Sequence, residues 1–393
     1  MEGGEMNTAL EALSAEHQIL AATVADFANS VVAASAVRHD QDHTFPYEVV
    51  KQMGAMGLFG LPFPEVIGGM GGDYLSLCLA IEELARVDQS VAITLEAGVS
   101  LGATTIFRFG NKEQQELYLP TLLSGQALGA FGLTEPEAGS DAHGLRTRAE
   151  LSEGEWIING SKTFITNSGT TITSLIILAC ITGESSNGSK EISTIIVPAG
   201  TEGLIVDPPY RKLGWRASDT HGLTFTQLRV PAGNLLGNLG RGYANFLETL
   251  DEGRIAIAAL AVGAAQGCLD EALRYSKVRK SFGKAIGLHQ GIAFKIAEMQ
   301  ARVHIARLAY YHAAQLLAAG KAFKTDAAIA KLVASNAAMD NARDATQIFG
   351  GYGFMDDSLV ARQYRDSKIL EIGEGTSEVQ KLLIARSLGL RSE

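Results

Sequence analysis

Residues 156–169 read WIINGSKTFITNSG, and TSLIILACIT (173–182), ISTIIVPAG (192–200), GLIVDPP (203–209) and LTFTQLRVP (223–231) follow at short intervals. Each run is brief, rich in Ile, Val and Thr, and bounded by Gly, Pro, Asn or Asp. β-branched residues suit a pleated surface and the flanking residues supply turns. The stretch from about 128 to 238 therefore predicts an antiparallel sheet domain. The period changes on both sides of it. Upstream, YLSLCLAIEELARV (74–87) spaces its apolar residues as a helix does, and NKEQQELYLPTLLSG (111–125) ends with Gly125 in a stop position. Residues 7 to about 125 read as mostly helical, interrupted by LPFPEVIGGMGGD (61–73), which has too much Pro and Gly for a helix. Downstream of GNLGRGY (237–243), Phe246, Leu250, Ile257, Ala261, Cys268 and Ala272 keep the helical period, as do Ile292, Ile296, Met299, Val303, Ala306 and Tyr310. A third helix is expected over about Thr325–Phe349, stopping at Gly350-Gly351, and LVARQYRDSKILEI (359–372) is a fourth that ends at Gly373. The predicted architecture is an α+β multidomain chain: an N-terminal helical domain (1–127), a central antiparallel, barrel-like β domain (128–240) and a C-terminal four-helix bundle (241–393).

The chain has 393 residues, 46% of them hydrophobic, enough for a large core. Its net charge of -10, from 33 basic and 43 acidic residues, argues against a nucleic-acid partner. Cys78, Cys180 and Cys268 lie far apart with no CxxC spacing, as in a reduced cytosolic setting. The opening MEGGEMNTALEALSAEH resembles neither a signal nor a transit peptide, so a cytoplasmic, bacterial location is expected. No uninterrupted apolar run of about 18 residues stands out, so no membrane span is expected. His39 and His43, with Asp40 and Asp42, read as a polar helix end, and no metal is expected. GEWIINGSKT (154–163) departs from a P-loop at two points and reads as a strand hairpin; GNLGRG lacks the preceding parallel strand of a dinucleotide site.

The segment EIGEGTSEVQ (371–380) breaks two helical stretches to hold one carboxylate, Glu374, between Gly373 and Gly375. Ser377 with Gln380 reads as a capping box, which sets Glu374 just before a helix N-terminus, where an ionised carboxylate is favoured. The flanking glycines admit a ligand closely, and such a site suits a base that must reach a carbon acid. GAFGLTEPEAGSD (129–141) is a small-residue segment able to hold a planar heterocycle. In KTFITNSG (162–169), Phe164 and Thr166 fall on one strand face, an aromatic wall beside a hydroxyl.

With GLTEPEAGSD, KTFITN, KLGWRASDT, LDEGRIAIA, RKSFGKAIGLHQ, QIFGGYGF and RDSKILEIGEGTSEVQ in this order, nearly the whole chain resembles the acyl-CoA dehydrogenases. These FAD enzymes introduce an α,β double bond into acyl-CoA thioesters, and their short-, medium- and short-branched-chain members are the most similar in character. The resemblance implies that Glu374 is the catalytic base. It implies that Phe131, Leu133 and Thr134 run along the flavin ring, and that Phe164, where the family usually has Trp, and Thr166 meet the ring and its N5. Arg279, Phe282 and Gln290 match residues binding the ADP part of FAD, generally from a neighbouring subunit. Gln347 and Gly351 match the adjoining contact, and Thr376 and Glu378 match positions near the cofactor's phosphate and adenosine end. Ser140, Asp251, Arg254 and Gly375 match positions beside the acyl-CoA. In some relatives the base stands instead on the first bundle helix; that place is Gly253 here, with Glu252 one residue off. A homotetramer built as a dimer of dimers and an electron-transferring flavoprotein as electron acceptor are further implied. Gly373 replaces the usual Tyr and opens space beside the thioester, and Gly98 and Gly102 in LEAGVSLGATTIF (95–107) leave room at the far end of the acyl pocket. Two rivals stay open: an oxidase-type flavoenzyme on the same fold, and a non-catalytic acyl-CoA-binding or scaffold protein.

Overall fold

The computed structural model describes residues 13–186 and 188–390; the part of the N-terminal helical expectation on residues 7–12 lies outside them. The first region is helical. A π turn, Ala28–Val32, joins α1 (Ala15–Phe27) to α2 (Ala33–Asp42). Then come α3 (Tyr47–Ala55), α4 (Tyr74–Val87), α5 (Gln89–Glu96), a π stretch over Ala97–Ala103, α6 (Thr104–Phe109) and α7 (Lys112–Leu123). Short polar side chains start these helices by accepting orphan backbone N–H groups: Asp73 from Ser76, Asp88 from Ser90 and Val91, and Asn111 in a reciprocal box with Gln114. The Pro- and Gly-rich loop at 61–73 carries only a single 3-10 turn, Glu65–Ile67.

The strands are β1 (Leu128–Gly132), β2 (Arg148–Ser152), β3 (Glu155–Thr166), β4 (Thr173–Glu184), β5 (Lys190–Pro198), β6 (Leu204–Val206), β7 (Thr220–Pro231) and β8 (Leu235–Leu236). They form one sheet in the order β6-β7-β3-β2-β4-β5-β8, with β1 also on β4. The sheet is not purely antiparallel. β1 runs parallel to β4, and β2 touches β4 in parallel through Arg148 and Ile181. The whole β2–β3 excursion separates β1 from β4, which is long enough to bring the chain back in the same direction. The continuous apolar run in β4 has a structural cause. Ile176, Leu178 and Cys180 enter the core of the β domain, while Leu175, Ile177, Ala179 and Ile181 enter the core shared with the helices. A strand buried on both faces loses the polar alternation of a half-exposed one.

The last region holds α8 (Gly242–Val278), a small hairpin of β9 (Lys280–Ser281) and β10 (Lys284–Ala285), α9 (Gln290–Ala318), α10 (Lys324–Phe349), α11 (Leu359–Ser367) and α12 (Ser377–Ser387). α8 is buried nearly all round, packed by α4, α9 and α10. Gly263 and Gly267 allow the approach of α4, since a Cβ on either would overlap the Glu82 or Arg86 carbonyl oxygen. The expected fourth bundle helix is shorter than the sequence suggested: α11 stops at Ser367 and a 3-10 turn, Lys368–Glu371, follows.

No uninterrupted apolar run is expected from the sequence, yet among the described residues three helices are long and apolar enough to cross a membrane by length and composition alone. Ala15–Asp42, Gln89–Phe109 and Gly242–Val278 meet the length and hydropathy requirement among the described residues. The apolar windows of the last two are 94% and 83% buried inside the protein, so their hydropathy is that of core helices; that of Ala15–Asp42 is 33% buried. Cys78, Cys180 and Cys268 are all free and buried. Among the described residues no group of three or more His, Cys, Asp or Glu could hold a metal ion.

Candidate active site

The segment carrying Glu374 links the 3-10 turn Lys368–Glu371 to α12, and its backbone is unusual. Glu374 has φ +51° and Gly375 φ +91°. A glutamate in the left-handed region costs about 1–3 kcal/mol and persists only where the surroundings fix it. They do so here: Gly373 N donates to Ile369 O at 2.7 Å, Lys331 Nζ to Gly375 O at 2.7 Å, and Gln380 Nε2 to Gly375 O at 2.8 Å. The capping residue differs from the expected one. Thr376 is the N-cap of α12, accepting from Val379 N, and Ser377 is the first helical residue. Two adjacent hydroxyl residues offer the same capping chemistry, and the turn at Gly375 selects the earlier one. Gln380 is drawn to Gly375 instead of closing a box.

The Glu374 carboxylate lies over α8. A Cβ at Gly253 would stand 2.6 Å from Glu374 Oε2, so the absent side chain there is what gives the carboxylate room. Oε2 is buried with no hydrogen-bond partner. Burial raises the proton affinity of Glu374, and Glu96, Lys331 and Arg254 oppose that rise. Lys331 is itself fully buried, and burial pulls its amine down to about 8 against the attraction of Glu374. The rival carboxylate, Glu252, is engaged elsewhere. It forms an ion pair with Arg108, and its backbone oxygen accepts from Tyr74 Oη at 2.8 Å.

The residues expected along a flavin ring gather on β1, β3 and the turn after β1. Phe131 packs on Phe246 with ring centroids 4.2 Å apart. Lys162, buried inside the domain, donates to Leu133 O at 3.0 Å and pairs with Glu135 at 2.7 Å. Glu135 in turn accepts from Arg146 N and Thr147 N, so the 133–135 turn is braced from behind. Phe164 sits at φ +61° on a bulge of β3 and is 66% exposed, with Tyr210 at 5.3 Å. Among the described residues, neither the Thr134 nor the Thr166 hydroxyl has a hydrogen-bond partner. A strained, exposed aromatic beside two available hydroxyls fits a planar heteroaromatic ring.

The second group of expected cofactor contacts lies on the bundle. A cavity of about 530 Å³ is lined by Arg279, Gly351 and the stacked pair Tyr275 and Phe349, whose centroids are 4.2 Å apart. Phe282 and Gly283 form the tip of the β9–β10 hairpin with φ +50° and +80°, and Phe282 is 93% exposed. Two positive φ angles in a two-residue turn give the twist a tight hairpin needs. Gln290 and Gln347 are exposed nearby in sequence, at the start of α9 and the end of α10. Phe164 and Thr166 are not part of this cavity's lining. Thr376 is spent on its cap, and Glu378 is exposed on α12.

Of the residues expected beside the substrate, Ser140 is exposed, whereas Asp251 and Arg254 are buried and paired with each other. Lys324 completes that pair, 2.6 Å from Asp251. Arg254 acts on Glu374 through its charge. The room expected from Gly98 and Gly102 is filled. A Cβ at Gly98 would meet Phe59 at 3.3 Å, and one at Gly102 would meet the Gly129 carbonyl oxygen at 3.1 Å. These glycines let the π stretch pack against β1 and leave no space for a ligand. By contrast, a Cβ at Gly373 would meet only Ile369, at 3.5 Å or more. Sequence reasoning missed Lys331 and Glu96. Glu96 was detectable as a lone acid within an apolar run, SVAITLEAGVSLGATTIF (90–107).

The acyl-CoA dehydrogenase N-terminal, middle and C-terminal domain models match residues 14–126, 130–228 and 240–389. A probable acyl-CoA dehydrogenase of Bacillus subtilis is 46% identical over 96% of this chain and 98% of its own length. The butyryl-CoA dehydrogenase of Megasphaera elsdenii superimposes with a TM-score of 0.93 at 42% identity, covering 96% of this chain and 99% of that one. A chain from a structure of the electron transferring flavoprotein of Acidaminococcus fermentans gives a TM-score of 0.93 at 41% identity, covering 99% and 100%.

Proposed function

Because this chain belongs to the acyl-CoA dehydrogenase family, we propose that it is an FAD-dependent dehydrogenase of short-chain acyl-CoA thioesters with Glu374 as its base. The observation that carries the assignment of Glu374 is its setting: a buried, unpartnered carboxylate oxygen on a strained backbone, over a glycine that leaves it space. The short-chain substrate class follows from the relatives, among them the butyryl-CoA dehydrogenase of Megasphaera elsdenii.

An α-carbon beside a thioester is a weak acid, so its proton must pass to a positioned base as the enolate is stabilised. Glu374 accepts that proton on its carboxylate. Its desolvated position raises its proton affinity toward the range a base needs, while Lys331 and Arg254 keep the ionised form accessible. The backbone N–H of Glu374 is available to the thioester oxygen, so one residue serves both the α-proton and the developing negative charge. FAD, when bound, supplies the acceptor for the β-hydrogen, which leaves as hydride. Phe131, Leu133, Thr134, Phe164 and Thr166 hold the ring side of that cofactor, with the Lys162–Glu135 pair keeping the 133–135 turn rigid. Arg279, Phe282, Gln290, Gln347 and Gly351 take its ADP side, with Thr376 and Glu378 beside them. Ser140, Asp251, Arg254 and Gly375 border the acyl-CoA, and Arg254 does so through its field on the base.

The ring-side residues and the Arg279 cavity are separate features of one chain, and Phe282 stands exposed on a hairpin tip. α9 also exposes Phe294, Ile305 and Leu308. This supports a homo-oligomer, a tetramer made of two dimers, in which the hairpin of one subunit reaches the cofactor of its neighbour. The likeness to a chain in a structure of an electron transferring flavoprotein supports that class of protein as the electron acceptor. A cytoplasmic location accords with the bacterial relatives.

The test is anaerobic mixing with butyryl-CoA. The wild-type flavin should bleach, and Glu374→Gln should keep fold and flavin but lose the rate by at least the ~10²–10⁴-fold of a general base. Near-normal bleaching in that variant would remove Glu374 from the role and return attention to Glu252.

A further inference from the structure

Glu96 closes α5 where the helix passes into the π stretch Ala97–Ala103. It is 0% exposed, and neither of its carboxylate oxygens has a hydrogen-bond partner. No cation pairs with it among the described ion pairs. With no paired cation and only the Ser100 hydroxyl to set against burial, a carboxylate here is among the costliest groups a core can hold, so a carboxyl in this position keeps its proton. The group facing it is Glu374, whose Oε2 is likewise buried and unpartnered. We propose that Glu96 is a positioning residue for the base: a carboxylic acid that remains protonated and turns its O–H onto the Glu374 carboxylate. The proposal rests on the reading of Glu374 as the base.

The surroundings decide which of the two carboxyls holds the proton. From α8, Arg254 faces Glu374, with Asp251 already paired to it and Lys324 beyond. From α10, Lys331 faces Glu374 as well. Among the described residues no cation faces Glu96. From its own π stretch it has Ser100, and from α4 it has Tyr74 and Cys78, both held neutral by burial. Glu252 also lies near Tyr74, but its carboxylate is paired with Arg108. The negative charge therefore settles on Glu374, beside the two cations, and the proton on Glu96. Burial and the nearby Glu374 charge both raise the proton affinity of Glu96, whereas the contact from Glu96 lowers that of Glu374. A donor to the ionised form stabilises that form and orients it. When the α-proton arrives on Glu374, the reason for the contact weakens. No atom is exchanged with solvent through Glu96; its own proton stays on its oxygen.

Three variants test this: Glu96→Leu, which removes the donor; Glu96→Gln, which keeps an N–H donor; and Glu374→Gln as the control on the base. The acid limb of kcat/KM reports the free enzyme's base. In Glu96→Leu that limb should move to higher pH by about one to two units, the scale of one lost hydrogen bond to a charged group. In Glu96→Gln it should stay within about half a unit of wild type, the spread left by a neutral donor of similar reach. A second readout needs no turnover: infrared difference spectra of wild type against each Glu96 variant should show the loss of one carbonyl stretch of a buried, protonated carboxylic acid, the contribution of Asp366 cancelling because it is common to all three proteins. A limb that does not move in Glu96→Leu, or that moves to lower pH, overturns the proposal, the latter because Glu96 would then carry charge. Difference spectra in which neither variant loses such a band overturn it as well. If Glu374→Gln is inactive while both Glu96 variants match wild type, the role of Glu96 fails and that of Glu374 stands. If Glu374→Gln stays active, the reading of the base fails first.

Discussion

Gly253 and Glu374 form a pair in which one residue's lack of a side chain is the other's working space. Because a Cβ at 253 would fall 2.6 Å from Oε2, the carboxylate has to move for any larger residue. Gly253→Ala should lower kcat/KM by about 10²-fold, the cost of a misplacement near 1 Å. The same change favours a helix interior by up to about 1 kcal/mol. The variant is thus expected to be folded, with a Tm close to or above wild type, yet poorly active; equal losses in both would point to a packing fault. Gly373 is the opposite kind of glycine. A side chain there meets only Ile369, so nothing in the fold demands its absence. A 2-methyl branch on a short acyl chain should find room beside it. Gly373→Tyr is predicted to depress turnover of 2-methyl-branched substrates relative to straight ones by about 10- to 200-fold. A panel of straight and branched acyl-CoAs measures this directly, and equal effects on both classes count against the open space.

α11 meets the loop that carries Trp215 through Asp366, whose Oδ1 accepts from Trp215 N at 2.6 Å. Trp215 has φ +48°, and its indole donates to Gln89 at the start of α5, so three regions of the chain meet at this contact. Burial, and next the charge of Asp88, push the Asp366 carboxyl up to about 7 from the ordinary 3.8, against the Trp215 N–H and Arg362. A folded-state value above the unfolded one means that the folded chain binds this proton more tightly. The resulting stabilisation is complete below about pH 4 and is lost as pH rises through about 7. Asp366→Asn keeps an acceptor for Trp215 but never ionises. Its stability relative to wild type should therefore improve steadily from pH 5 to pH 8. Urea unfolding at both pH values checks the trend, and a constant difference would leave Asp366 ionised throughout.

At the scale of the whole molecule, the proposed oligomer would bring the exposed Phe282 hairpin and the Arg279 cavity of one chain to the cofactor of its neighbour. A ligand held across a subunit boundary stabilises both its own site and the assembly by mass action. Arg279→Ala is expected to lose FAD on dilution and to shift the oligomer toward smaller species together. Light scattering with flavin absorbance follows both quantities. Full flavin content in a wild-type monomer would refute the shared site.

The sequence by itself determined the order of the three regions, because helix and strand periods are local and change sharply near residues 128 and 240. It also marked Glu374, since two glycines around one acid at a helix boundary form a local signal. It could not assign the strand directions of β1 and β4, which depend on where a long excursion returns. It misjudged Gly98 and Gly102 because a missing side chain says nothing about which neighbour fills the gap; Phe59 and Gly129 do. The sequence already placed Glu252 one residue off the alternative position; only the tertiary structure paired it with Arg108, and only the tertiary structure set Glu96 against Glu374. Proton affinity depends on burial and on charges brought together from α4, α5, α8 and α10, and no local pattern records which helices will meet.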